Sequence, residues 1–187
     1  MSRLTEQAHD FLRPVLQAGD VAIDATAGNG HDTLFLAKLV GENGMVFAFD
    51  IQPDAIANTQ QRLDAHRLQN VQLLLANHQR LSKLIPREHH GKVKAAMFNL
   101  GYLPGSEKRI VTQPESTVAA FSQTLDLLSA DGRMTVIAYP GHAGGRAETT
   151  AVREFLDEFK DSDLVFEESV GNPDHDFSPV LFKIGKQ

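Results

Sequence analysis

The chain has 187 residues, 42% of them hydrophobic and 22% charged, with 18 Lys and Arg against 24 Asp and Glu, a formal net charge of −6 and no cysteine. That length and apolar content suit one domain with a sizeable core and exclude intrinsic disorder. The missing cysteines exclude disulfides, zinc ribbons, iron–sulfur clusters and thiol nucleophiles, and the acidic balance excludes a protein that coats nucleic acid by bulk charge.

No stretch reaches the ~18–20 apolar residues of a membrane span. The start, MSRLTEQAHDFL, has no signal-peptide apolar core. A cytoplasmic protein without a membrane partner is expected.

In chain order, residues 5–17 read as a helix that Pro14 bends or ends, followed by a Gly19-Asp20 turn. Val21–Asp24 is a short buried strand, leading into Ala25-Thr26-Ala27-Gly28-Asn29-Gly30 and a helix over 32–40 closed by Gly41. A second strand (45–50) and a polar helix (54–67) follow. Next come a third strand (71–76), a short helix ending before Pro86, and a fourth strand (93–98). A helix over 115–128 stops near Asp131-Gly132, a fifth strand spans 133–139, and another helix 148–159. The chain closes with strands at 164–170 and 179–184, too close in sequence for a helix between them. Strands alternating with helices predict parallel βαβ units, and the last two strands an antiparallel hairpin. The fold class is therefore α/β: one doubly wound, Rossmann-like domain whose ligand site lies at the carboxyl ends of the strands.

The residues at those strand ends carry the chemistry. Gly28 and Gly30, with Thr26 in the same loop, let backbone N–H groups and a helix N-terminus approach a ligand. Asp50 ends the second strand, where an acidic residue accepts hydrogen bonds from a ribose diol. Asp24 selects among nucleotide-like ligands: a carboxylate before the glycine loop repels a pyrophosphate but suits an ammonium group. S-adenosylmethionine (SAM) has a ribose diol, an ammonium and a sulfonium, and no phosphate. Asp24 capping the following turn is the plainer reading, and the two are compatible. Asn77 and His78, after the third strand, lie where an adenine would rest. The fourth strand ends Asn99-Leu100-Gly101-Tyr102-Leu103-Pro104. There the Asn99 side-chain oxygen and the Leu100 carbonyl can accept hydrogen bonds from an attacking amine, and Tyr102 can stack on a base. Methyl transfer is an in-line displacement, so positioning of this sort carries much of the catalysis.

The runs DATAGNGHDTLFLA, FAFDIQPDAI, MFNLGYLPG and YPGHAGG resemble the YtqB/MnmM family of class I SAM-dependent methyltransferases. The resemblance spans about residues 21–145 and implies a mostly parallel seven-stranded sheet with the C-terminal antiparallel hairpin, and an N-terminal helix packing over the site. It also implies N-methylation of 5-aminomethyl-(2-thio)uridine at position 34 of tRNA, with the anticodon loop as partner. Matched by motif, Asn29, Asp32, Asp50, Gln52, Asn77 and His78 would contact the cofactor, while Asn99, Tyr102 and His142 would face the substrate. The closing run GNPDHDFSPVLFKIGK departs from the family pattern, which has adjacent prolines there.

A primary alkylamine resembles Lys, with a pKa of roughly 10.4, so something must take its proton before it attacks. His142 is the first candidate helper and His9 the second. Lys108, Arg109 and Arg146 follow strand ends on the active side and are candidates for phosphate contacts. The basic run from Arg80 to Lys94 feeds the opposite end of the sheet and reads as a solvated surface. The remaining histidines show no metal-ligand spacing, so no metal is expected.

Rival readings are methylation of rRNA or of a small-molecule amine, a non-catalytic SAM-binding module, and an NAD-dependent oxidoreductase, the last disfavoured by Asp24. The sequence leaves a homodimer open. The missing cysteines also close the covalent route to C5 of a pyrimidine and the radical route, pointing to direct displacement by a nucleophile such as an amine.

Overall fold

The runs Val21–Asp24, Met45–Asp50 and Val93–Asn99 are apolar on both sides, so the sheet they form must be covered on both faces. In the computed structural model, which describes residues 4–101, 103 and 111–186, helices cover both. The elements run α1 (Leu4–Leu12), β1 (Val21–Asp24), α2 (His31–Val40), β2 (Met45–Asp50), α3 (Pro53–Ala65), β3 (Val71–Leu75), α4 (Leu81–Leu84), β4 (Val93–Asn99), α5 (Pro114–Leu127), β5 (Leu128–Ala138), α6 (Gly145–Asp157), β6 (Leu164–Val170) and β7 (Val180–Lys186). The seven strands lie in the order β3-β2-β1-β4-β5-β7-β6. Only β7 runs against its neighbours, pairing antiparallel with both β5 and β6. The C-terminal hairpin thus inserts its second strand into the sheet and leaves β6 at the edge.

Alternation along β4 shows how the two cores arise. Ala95 and Met97 face one side, with Leu12, Leu36, Val40 and Leu63 from α1, α2 and α3. Ala96 and Phe98 face the other, with Leu81, Phe121 and Phe155 from α4, α5 and α6. Phe98 meets Phe121 edge to face, with ring centroids 4.8 Å apart. Burying a phenylalanine ring of this kind stabilises by about 2–3 kcal/mol.

Three boundaries differ from the sequence-based expectation by three residues or more. Helix α1 ends at Leu12, and a 3-10 turn over Arg13–Val15 takes its place, because Pro14 lacks the N–H that a continuing α-helix requires. Strand β5 begins at Leu128, directly after α5, and its pairing with β4 shifts register between Val93 and Ala95. Residues near Asp131-Gly132 therefore form an irregularity inside the strand: Gly132 lies so close to the Val93 carbonyl that an added Cβ would sit 2.8 Å from it. Helix α6 starts at Gly145, three residues before the expected start, behind a left-handed Gly144. Among the described residues no helix is long and apolar enough to cross a membrane.

Candidate active site

The ends of β1, β2 and β4 lie side by side, because β1 pairs with both other strands. The loop after β1 is held from three directions. Ala25 N–H donates to the Met97 carbonyl of β4, and Ala27 N–H to the Phe49 carbonyl of β2. Thr59 of α3 donates its hydroxyl to the Gly28 carbonyl at 3.2 Å. Gly30 has φ +76°, and a Cβ there would come within 2.9 Å of the Thr59 Cα, so only glycine fits. Asn29 is tied to the same helix. Its carbonyl accepts from Arg62 Nε at 2.7 Å and its side-chain oxygen from Asn58 at 3.0 Å.

Three carboxylates surround this loop. Asp24 is wholly buried, accepting the Thr26 N–H at 3.1 Å and the Thr33 hydroxyl at 2.6 Å. Burial, the neighbouring Asp32 and, more weakly, Asp50 push its carboxyl up from 3.8 to about 7. These bonds make Asp24 the cap of the following turn, and with no surface exposed it can act on a bound ligand only through its charge. Asp50 accepts the Gly28 N–H at 3.0 Å and the Gln52 N–H at 2.9 Å, one on each oxygen. Each oxygen keeps acceptor capacity for a diol. Asp32, at the start of α2, lies 2.6 Å from His9 Nε2 through one oxygen and accepts from the Asn99 side-chain amide with the other.

Asn77 caps the 3-10 turn over His78–Arg80, its side-chain oxygen accepting from the Gln79 N–H, so its amide N–H groups remain for a ligand. The His78 ring turns into the domain rather than out over the surface. It is 5% exposed, with Nδ1 3.3 Å from the Ala25 carbonyl and an edge against Phe98. Burial pulls its pKa down to about 4, so it is neutral.

At the end of β4 the Asn99 N–H donates to Thr26 Oγ1 at 2.7 Å and the Leu100 N–H to the Ile137 carbonyl at 2.8 Å. Gly101 donates to the Thr112 hydroxyl oxygen and accepts the Thr112 N–H. His142 lies against this turn, with Nε2 3.4 Å from where a Gly101 Cβ would stand and Nδ1 2.9 Å from the Ala143 carbonyl. His142 therefore joins Asn99, Leu100 and Gly101. Arg146 lies farther along, its guanidinium 4.6 Å from the centre of the Phe177 ring. Tyr102, Lys108 and Arg109 lie outside the described residues.

Several residues that shape the site were not singled out from the sequence. Glu148 is buried and accepts hydroxyls from Thr112 and Thr117, both at 2.7 Å. The signal for it was present: Glu148 shares the helical stripe of Val152, Phe155 and Leu156, where a charge is out of place unless it is bonded. Tyr139, whose hydroxyl is pushed up by burial and by Asp32, is another. Phe35, stacked flat on His9, is a third. Among the described residues no three His, Asp or Glu side chains are grouped to hold a metal ion.

Comparison with known proteins agrees with this architecture. The family model described as "Putative rRNA methylase" matches residues 46–182. That of protein-L-isoaspartate(D-aspartate) O-methyltransferase matches residues 2–80. A chloroplastic tRNA (mnm5s2U34)-methyltransferase of Arabidopsis thaliana is 38% identical over 162 residues, 82% of this chain and 58% of that protein. The chain thus spans less than two thirds of that curated relative. A crystal structure from Clostridium thermocellum, described as a "putative rRNA-methylase", superposes with TM-score 0.94 at 40% identity, covering 100% of this chain and 99% of the other. A Streptococcus mutans protein, solved with S-adenosylhomocysteine (SAH), superposes with TM-score 0.88 at 35% identity, covering 100% and 99%. By sequence and by fold, the chain belongs to this rRNA-methylase family of SAM-dependent methyltransferases.

Proposed function

We propose that this protein transfers a methyl group from SAM to the aminomethyl nitrogen of 5-aminomethyl-(2-thio)uridine at position 34 of tRNA. The observation that carries the reading is the orientation of Asn99. A carboxylate can only accept, so the Asn99 amide N–H groups face Asp32 and the amide oxygen is left to receive an amine. The plant relative, named for a wobble-uridine methyltransferase, supports the acceptor.

The residues present fit the cofactor. Burial first, and then the negative charges of Asp32 and Asp50, hold the Asp24 pKa up; a ligand carrying ammonium and sulfonium groups offsets that negative charge and a pyrophosphate would add to it. The loop through Gly28 and Gly30 would hold the amino-acid end with the Asp24 charge behind it, Asp50 the ribose and Asn77 the base. SAM supplies an electrophilic methyl group on a sulfonium. Asn99 Oδ1 and the Leu100 carbonyl accept the two N–H groups of the neutral amine, aiming its lone pair along the transfer line. His142, against the same turn, takes the proton lost on forming the reactive amine. The net charge of −6 limits the RNA grip to local contacts, Arg146 with its Phe177 partner among them.

Incubation with SAM and tRNA lacking only the terminal methyl, followed by mass spectrometry of the nucleosides, tests this. The methylaminomethyl nucleoside is expected, and its absence overturns the tRNA assignment. Transfer to ribosomal RNA instead would favour the alternative suggested by the family description.

A further inference from the structure

Helix α1 sends one side chain into the site. The His9 ring lies parallel to Phe35 of α2, with centroids 3.7 Å apart and planes within 5°. Arg13 lies over the same phenylalanine, 5.3 Å from its centre. From that fixed position His9 Nε2 reaches Asp32 Oδ1 at 2.6 Å, and Asp32 Oδ2 accepts from Asn99 Nδ2. The His9 and Asp32 side chains keep 20% and 10% of their exposure, so water competes little for either contact.

We propose that His9 and Asp32 are a positioning pair that sets the rotamer and the amide orientation of Asn99, so that Asp32 serves the acceptor side of the site. The inference rests on the reading of Asn99 given above. An asparagine amide is nearly symmetric in shape, and only its partners decide which end points where. Flipping Asn99 would set its oxygen against a carboxylate oxygen, two acceptors in contact without a proton between them. Asp32 can enforce the orientation only while its own rotamer is fixed, and His9 fixes it from the other side. The stack on Phe35 removes the remaining freedom of the imidazole. The chain Phe35–His9–Asp32–Asn99 thus joins α1 and α2 to the end of β4.

His9→Phe keeps the ring stack and removes the ring nitrogens. It is expected to lower kcat by about tenfold or more, as loss of an outer partner commonly does, with SAH affinity within twofold of wild type. His9→Gln, whose amide can restore the contact to Asp32, recovers most of the rate. A second readout needs no RNA. The Asn99 side-chain N–H2 resonances, assigned by their loss in Asn99→Ala, should stand apart from those of exposed amides and move towards them in His9→Phe. Unmoved resonances overturn the proposal. So does Asp32→Ala with weakened SAH binding and unchanged kcat, which would make Asp32 a cofactor ligand. If the tRNA assignment alone is wrong, the resonances still move while the RNA goes unmethylated. If the inference alone is wrong, the RNA is methylated and the resonances stay.

Discussion

Glu148 Oε2 accepts the hydroxyl of Thr112 at 2.7 Å, and Thr112 in turn receives the N–H of Gly101 through the same oxygen. A buried carboxylate on α6 is thereby linked to the turn that presents Asn99 and Leu100. Its other oxygen takes the Thr117 hydroxyl from α5, so two helices and the turn share one anion.

Glu148→Leu leaves the Thr112 and Thr117 hydroxyls without their acceptor inside the protein. A loss of about 2–3 kcal/mol in unfolding free energy is expected, read from denaturant midpoints. Glu148→Gln keeps one acceptor and should cost about half as much. A Glu148→Leu protein as stable as wild type would show that the network adds nothing.

Asp24 makes stability depend on pH in the direction opposite to most carboxylates. Its pKa is about 7 in the folded chain, against 3.8 for an ordinary aspartate. Between those values the native state holds a proton that the unfolded chain has lost. The contribution is complete below pH 3.8 and disappears as pH rises through about 7. The interval is worth on the order of 4 kcal/mol. Asp24→Asn removes it, so the variant should gain stability relative to wild type between pH 5 and pH 8. Parallel stability profiles for the two proteins would contradict this account.

The same group reports on the cofactor. A ligand ammonium placed beside Asp24 favours its charged form, so SAH binding near pH 6.5 should release a proton. Calorimetry in buffers of different ionisation enthalpy measures that release. Asp24→Asn should abolish it, and equal release from both proteins would take Asp24 out of the site.

Gly30→Ala combines a left-handed φ with a Cβ 2.9 Å from the Thr59 Cα. The conformation alone costs roughly 1–2 kcal/mol, and the contact forces α3 away from the loop. SAH affinity is expected to fall at least tenfold in titration calorimetry. Unchanged affinity would mean that the loop does not need this close approach.

Asn99→Ala removes the acceptor proposed for the amine while leaving the glycine loop and Asp50 untouched. Methyl transfer should fall by about 10²-fold, the order of loss a misplaced nucleophile brings. SAH affinity should stay within threefold. Full activity would remove Asn99 from the mechanism.

The order of elements, the parallel sheet and the hairpin follow from the sequence because apolar runs of strand length, helical stripes and glycine stops are local signals. Placing Asp50 opposite the glycine loop also needs only chain order, since both stand at the carboxyl ends of adjacent parallel strands. Insertion of β7 between β5 and β6 depends instead on which edges pair, and no window of residues contains that. For the same reason the sequence places His78 after β3 but not the inward turn of its ring, which packing against Phe98 and Ala25 decides. Composition excludes thiol and cluster chemistry outright, because an absent residue cannot be supplied by folding. What folding alone supplied are the contacts across distance: His9 to Asp32 over 23 positions and Asn99 to Asp32 over 67. A hydrogen bond is settled by tenths of an ångström and by which end of a side chain faces which, and only the packed sheet and its helices fix those.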